Sequence, residues 1–149
     1  MLIKALGLIF VFLSSSAFGM AKANKLSLRA EKLRRITGGL NMLAEHIRIG
    51  GREVERLIPL CFKETEISFL CGKYSINNEY LEPVDIKLLD EFFSQLGYGD
   101  SESEYKRTIG FVKMIEKQFR DAVKLKTEQG RLYKTMGVTV GVGLCIFFL

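Results

Sequence analysis

The sequence predicts an all-α protein: two long antiparallel helices run without a break into apolar ends, and short helices pack at the distal end. Apolar residues recur at helical spacing, strand-like alternation is absent over any useful length, and both ends of the chain are apolar. Basic residues on the inner side of each apolar end are typical of membrane anchors. The predicted domains are a transmembrane helix at 1–21, a cytoplasmic helical bundle at 22–134 and a C-terminal transmembrane segment at 135–149.

The first apolar run, Ala5–Ala21, contains no charged residue. As a helix it would extend about 25 Å, close to the ~30 Å hydrocarbon core of a bilayer. The alternative is an exported protein whose signal peptide is cleaved after Gly19, because Ala17 and Gly19 have the small-x-small spacing of a cleavage site. Positive charge directly behind the run favours an uncleaved anchor with its flank in the cytoplasm. That flank, residues 22–35, carries six basic residues and one acid.

The C-terminal apolar run, Gly137–Leu149, is shorter than the ~17 residues that usually span a bilayer. It would cross a bilayer that thins locally around it. Gly137 and Gly141 form a small-xxx-small pair, which lets membrane helices approach closely. Two interpretations follow. In the first, the two glycines pack against another helix. In the second, which is simpler, they only tolerate contact with lipid.

The first long helix carries an apolar seam spaced in a heptad pattern, with charged residues on its other faces. Gly38-Gly39 is expected to interrupt or bend this helix, because glycine is a poor helix former. Gly50-Gly51 is expected to end it. The seam consists of Leu26, Leu33, Ile36, Leu40, Leu43 and Ile47.

The middle of the chain is predicted to form short helices at Glu53–Phe62 and Thr65–Lys73, followed by a loop at Ser75–Tyr80. Pro59 lies inside the first of these helices and is expected to kink or shorten it. A third helix is predicted from Pro83 through Leu96, because proline favours the first helical turn.

The second long helix is predicted to start near Ser101, which has capping-box spacing to Glu104. Gly97 closes the preceding helix. From there the helix continues through Lys134 into the last apolar run. Its predicted apolar stripe consists of Tyr105, Ile109, Val112, Ile115, Phe119, Ala122 and Val123.

The formal net charge of +5 comes almost wholly from residues 22–35. A nucleic-acid surface would spread basic residues through the fold together with aromatic partners, so no nucleic-acid ligand is expected. Cys61 and Cys71 lack metal-ligand spacing and are expected to be small core residues in a reducing compartment. His46 is expected to lie at the surface or its boundary. No catalytic motif is present, and the sequence predicts no enzyme, no cofactor and no metal.

Several short motifs occur in an order that resembles the stage III sporulation protein AB family of endospore-forming bacteria. The resemblance covers nearly the whole chain, and its second half is the more specific. The motifs are Phe18-Gly19-Met20-Ala21, Leu40-x-x-Leu43, Ile47-x-x-Gly50, Leu89-x-x-Phe92-x-x-x-Leu96-Gly97-x-x-Asp100 and Tyr133-x-x-x-Gly137-Val138.

The resemblance implies a non-catalytic component of the channel complex between mother cell and forespore, located in the mother-cell membrane with its soluble domain in the cytoplasm. It also implies a helical domain similar to that of the inner-membrane platform protein of type II secretion and type IV pilus systems. The implied partners are a secretion-type ATPase and the other channel subunits, and a homo-oligomer is left open.

Two groups of residues are the candidate partner contacts. One is the segment between the third helix and the second long helix, with Leu96, Gly97 and Asp100, and the other is the basic pair Arg34-Arg35. The simpler interpretation is that Gly97 and Asp100 only stop and start helices, and that the arginines only orient the chain. For each of these residues considered alone, the simpler structural interpretation is the favoured one.

Overall fold

The computed structural model describes residues 2–50, 54–63, 65, 67–70 and 73–148. In chain order the elements are α1 (Leu2–Ile49), α2 (Val54–Cys61), β1 (Ile67–Leu70), β2 (Lys73–Ile76), α3 (Pro83–Ser94) and α4 (Ser101–Phe148). Most of the described chain is helical, and the two long helices each contain 48 residues. The predicted architecture is therefore correct in its long helices.

The chain divides into two compact units. The terminal unit comprises Met1–Leu28 with Ala122–Leu149, and the middle unit comprises Arg29–Asp121. Among the described residues, no helix has a stretch both long and apolar enough to qualify as a membrane span. The anchor boundaries at residues 21 and 134 remain predictions.

In the terminal unit, the first part of α1 packs antiparallel against the last part of α4. The Ser15 hydroxyl donates a hydrogen bond to the Gly137 carbonyl oxygen across this contact, at 2.9 Å. The apolar faces of the two helices on the side opposite the α1–α4 contact are exposed. They include Phe10, Leu13 and Phe18 on α1 and Leu132, Met136, Val138, Val140 and Ile146 on α4.

In the middle unit, the predicted α1 seam is buried, and burial of such an apolar stripe contributes most of the stability of a helix in a domain. Leu33, Ile36, Leu40 and Leu43 are fully buried there. An aromatic cluster completes the core: Phe92 contacts Phe111 and Phe93, with ring centroids 5.2 Å apart in each pair. These are edge-to-face contacts, a favoured geometry for aromatic pairs.

The helix predicted at Thr65–Lys73 is wrong, because an antiparallel hairpin of β1 and β2 occupies most of this range. β1 and β2 pair antiparallel, with Ile67 opposite Ile76 and Leu70 opposite Lys73. Each strand has only four residues, too few for alternation to separate a strand from a short helix. The signal was the pair of β-branched and aromatic runs separated by two residues that include a glycine.

Gly38-Gly39 was expected to interrupt α1, yet the helix continues without a break to Ile49. Close packing explains why residue 39 is a glycine. A Cβ atom on Gly39 would lie 2.7 Å from the Phe62 ring and 2.9 Å from the Cys61 carbonyl oxygen. Gly50, at φ +72°, follows the last residue of α1 and confirms the predicted helix end, whereas Gly51 lies outside the described residues.

The loop predicted at Ser75–Tyr80 begins only after Ile76, because Ser75 and Ile76 belong to β2. The two short helices follow the prediction more closely. α2 continues past Pro59 and ends at Cys61, one residue before the predicted end. α3 begins at Pro83, as predicted, and ends at Ser94, two residues before the predicted end. Cys61 is buried with a free thiol, and burial raises the pKa of that thiol. Cys71 lies outside the described residues. His46 is partly exposed, as predicted.

Candidate functional site

Arg34 and Arg35, the predicted basic contact, lie on the exposed face of α1. Both reach back to one carboxylate: Glu31 accepts a hydrogen bond from Arg34 at 2.9 Å and from Arg35 at 3.3 Å. The Arg34 hydrogen bond is the main cause of the lowered pKa of Glu31. Because one acid serves two cations, this surface keeps a net positive charge.

The other predicted contact is the α3–α4 loop, from Gln95 to Asp100. Gly97 has φ +92°, a backbone conformation that favours glycine, and it lies in the turn after α3. Asp100 accepts a hydrogen bond from the Ser103 N–H and so caps α4. Hydrogen bonds from Ser103 lower the pKa of Asp100. Leu96 is half-buried. The cap is therefore Asp100, and the predicted capping box of Ser101 with Glu104 is wrong.

Glu104 has a different role that the sequence did not reveal. Its side chain is buried, and Oε1 accepts hydrogen bonds from the N–H groups of Gly97 at 3.2 Å and Gly99 at 2.9 Å. Arg107 pairs with the same oxygen. Tyr98, between the two anchored glycines, is 87% exposed. The carboxylate thus fixes the backbone on both sides of an outward-facing tyrosine.

Replacing Glu104 with Ala is expected to lower the free energy of unfolding by about 1–2 kcal/mol, because two loop N–H groups lose their acceptor. Chemical denaturation of the full chain in a mild detergent, followed by circular dichroism, measures this. Glu102→Ala is the matched control, since that side chain is exposed and pairs with the exposed Lys106. Equal losses in both variants would contradict the assigned role of Glu104.

Arg29 and Asp85 form a buried ion pair in the middle unit, which sequence reasoning also missed. Arg29 Nε donates to Asp85 Oδ2 at 2.9 Å and Nη2 donates to Oδ1 at 3.1 Å, a bidentate arrangement. Glu82 receives a further hydrogen bond from Nη1 at 2.6 Å. The signal was the position of Arg29 between Leu26 and Leu33, on the buried stripe of α1.

Within the terminal unit, Gly137 and Gly141 lie at the α1–α4 contact. A Cβ atom on Gly137 would be 3.0 Å from the Ser15 carbonyl oxygen, and one on Gly141 would be 2.8 Å from the Phe12 ring. Gly19 completes the contact, since a Cβ there would lie 2.5 Å from the Tyr133 carbonyl oxygen. Three glycines therefore allow the two backbones to approach.

Gly19→Ala is expected to destabilise the terminal unit by about 1–3 kcal/mol, because the new methyl group meets backbone that cannot rotate away. The measurement is thermal unfolding of the full chain in detergent micelles. Gly143→Ala serves as control, because a Cβ on Gly143 would meet nothing within 4 Å. An unchanged unfolding temperature for Gly19→Ala would show that the α1 and α4 backbones do not approach closely at Gly19.

The structure does not join the two predicted contact groups. Among the described residues, no hydrogen bond or ion pair connects Arg34 or Arg35 to the α3–α4 loop. Within the same residues, no group of three or more His, Cys, Asp or Glu side chains could hold a metal ion.

In a comparison with protein families, the chain matches the family described as stage III sporulation protein AB over residues 4–67 and 71–149. No curated protein and no solved structure matches the chain. The family match covers both long helices, α2, α3 and the α3–α4 loop. The chain therefore belongs to the stage III sporulation protein AB family.

Proposed function

We propose that this chain is a non-catalytic platform component of the channel complex between mother cell and forespore. In this role the apolar ends of α1 and α4 hold it in the mother-cell membrane, and the middle unit couples a cytoplasmic secretion-type ATPase to the channel. Family membership is consistent with a role in sporulation.

The exposed apolar surface of the terminal unit is the observation that carries this proposal. Phe10 is 71% exposed and Phe18 is 68% exposed on α1, and Ile146 is 72% exposed on α4. An apolar surface of this extent on a helical pair calls for lipid or another protein to cover it. Because both helices continue into the middle unit, such a pair would connect the membrane directly to that unit.

Charge next to the apolar ends supports a cytoplasmic middle unit. Exposed Lys22 and Lys25 follow the apolar run of α1, and exposed Arg131 and Lys134 precede that of α4. Basic residues next to membrane segments stay preferentially in the cytoplasm. Arg29 does not contribute to this signal, because its charge is buried against Asp85.

The position of Gly19 favours the uncleaved chain over the alternative, an exported protein that is cleaved after this residue. It is buried inside the helical contact, close to the Tyr133 carbonyl oxygen. A chain cut there would lose the α1 half of the glycine contact. Mass spectrometry of the protein from its native cells tests this, because an intact N-terminus excludes cleavage.

The α3–α4 loop is the proposed ATPase contact, together with Arg34 and Arg35. Tyrosine is enriched among the residues that dominate binding energy, and an anchored backbone lowers the entropy lost on docking. Tyr98 meets both conditions. Leu96, Gly97 and Asp100 then shape the loop that presents it.

Tyr98→Ala tests this contact, since it is expected to weaken capture of the ATPase by the full-length chain at least tenfold in a quantitative pull-down. Met114→Ala removes an exposed apolar side chain elsewhere in the middle unit and should leave capture unchanged. Arg34→Glu with Arg35→Glu should also weaken capture. If both interface variants capture the ATPase as well as the unchanged chain does, the proposed contact is wrong. If a strain that lacks the protein forms normal heat-resistant spores, the proposed platform function is wrong.

A further inference from the structure

A cavity of about 660 Å³ lies between α1 and α4 within the terminal unit. Its walls come from residues 20–27 of α1 and 126–134 of α4. That volume falls in the range of pockets that hold small ligands. The cavity begins at the last residues of the apolar run of α1, where Met20 and Ala21 line it.

Small side chains keep this space open. A Cβ atom on Gly130 would have only the Ala23 Cβ within reach, at 4.0 Å, whereas the glycine contact nearby leaves no room for one. The two helices are therefore in close contact at Gly19 and Gly137 and leave an unfilled space one to two turns further along.

The charge around the cavity has one sign. Lys126, Arg131 and Lys134 line it, and no lining residue is a carboxylate. In the part of the chain that the structure describes, none of the three forms an ion pair. Ser27 and Asn24 add polar groups on the opposite wall. Three free cations around one cavity are suited to a phosphate group, which accepts hydrogen bonds from both lysine and arginine.

We propose that this cavity binds the headgroup of one anionic phospholipid, with its acyl chains along the exposed apolar faces of α1 and α4. The inference rests on the proposed membrane attachment, which puts the cavity at headgroup height directly next to the apolar ends. Basic pockets between helices at the cytoplasmic side of a membrane suit anionic headgroups. The adjoining apolar faces favour a lipid over a soluble phosphate ester.

Native mass spectrometry of the full-length chain in a neutral detergent tests the site. Phosphatidylglycerol and phosphatidylcholine with identical acyl chains are titrated separately, and glycerophosphoglycerol provides the same headgroup without acyl chains. We expect phosphatidylglycerol to bind at least tenfold more tightly than either of the others. Equal retention of the two lipids would overturn the proposal, and equal binding of the acyl-free ester would overturn the assignment to a lipid.

Charge variants separate this site from general attraction to a basic protein. The triple variant Lys126→Gln, Arg131→Gln, Lys134→Gln is expected to bind phosphatidylglycerol at least tenfold more weakly. The control variant Lys113→Gln, Lys117→Gln, Lys124→Gln removes the same charge from exposed positions of the same helix outside the cavity. It should change binding less than twofold. A similar loss in both variants would overturn the proposal.

A filled cavity provides an independent test with all charges kept. Gly130→Leu, or Ala23→Leu if the first variant loses helix content, should weaken phosphatidylglycerol binding at least tenfold. Unchanged binding by a folded variant would overturn the site. These outcomes are distinct from failure of the membrane proposal: a chain that needs detergent but does not distinguish the lipids keeps its membrane role and loses only the site.

Discussion

Arg29→Met is expected to lower the free energy of unfolding by about 3–5 kcal/mol, because it leaves the Asp85 carboxylate buried without its cation. Both side chains of the pair are almost fully buried, with 6% and 0% of their surfaces exposed. Urea denaturation of the full chain in a mild detergent, followed by circular dichroism, measures the change.

Arg35→Met is the matched control for this prediction. Arg35 lies on the same helix, but its side chain is 51% exposed and its partner Glu31 is also exposed. Its loss should cost less than about 1 kcal/mol. Combining Arg29→Met with Asp85→Leu should recover most of the stability, because no uncompensated charge remains. A single Arg29→Met variant as stable as Arg35→Met would contradict the assigned pair.

Neighbouring glycines in α1 are expected to respond in opposite directions to the same substitution. Gly39→Ala should lower the free energy of unfolding by about 2 kcal/mol, because its methyl group would overlap the Phe62 ring and the Cys61 carbonyl oxygen. Gly38→Ala should raise it by about 1 kcal/mol, because alanine is the better helix former. A Cβ at Gly38 would meet nothing within 4 Å.

The pair of variants is compared in the same denaturation assay, and each serves as the control for the other. A difference of about 3 kcal/mol between them is expected. Two equally stabilised variants would show that Gly39 has room for a side chain and that the α1–α2 contact is looser than the structure has it.

The long helices were predictable because their signal extends over many turns. Six seam positions repeat along α1, and the structure buries five of them with the sixth, Leu26, half-buried. The α4 stripe was predicted less well: Val112, Ile115 and Ala122 are buried, but Val123 is exposed and the buried Phe111 was not predicted. The apolar pattern of a single helix does not show how much of its surface the neighbouring elements bury.

The hairpin and the partners of the buried charges were missed because their local sequence signals are weak. β1 and β2 have four residues each, which gives periodicity too little length. The position of Arg29 on the apolar stripe of α1 indicates its burial, but its partner Asp85 is 56 residues away in the sequence, so local patterns do not identify the ion pair. For Glu104, capping-box spacing predicted a hydrogen bond within its own helix, whereas the carboxylate binds the preceding loop.

Cysteine labelling in intact cells tests the central claim that both ends of this chain attach to a membrane and leave the middle unit in the cytoplasm. The full-length protein carries Asn41→Cys, an exposed position on α1, with its three native cysteines replaced by serine. A membrane-impermeant maleimide should label it only after the cells are permeabilised, and the protein should sediment with membranes. Labelling in intact cells, or recovery in the soluble fraction, would contradict the account.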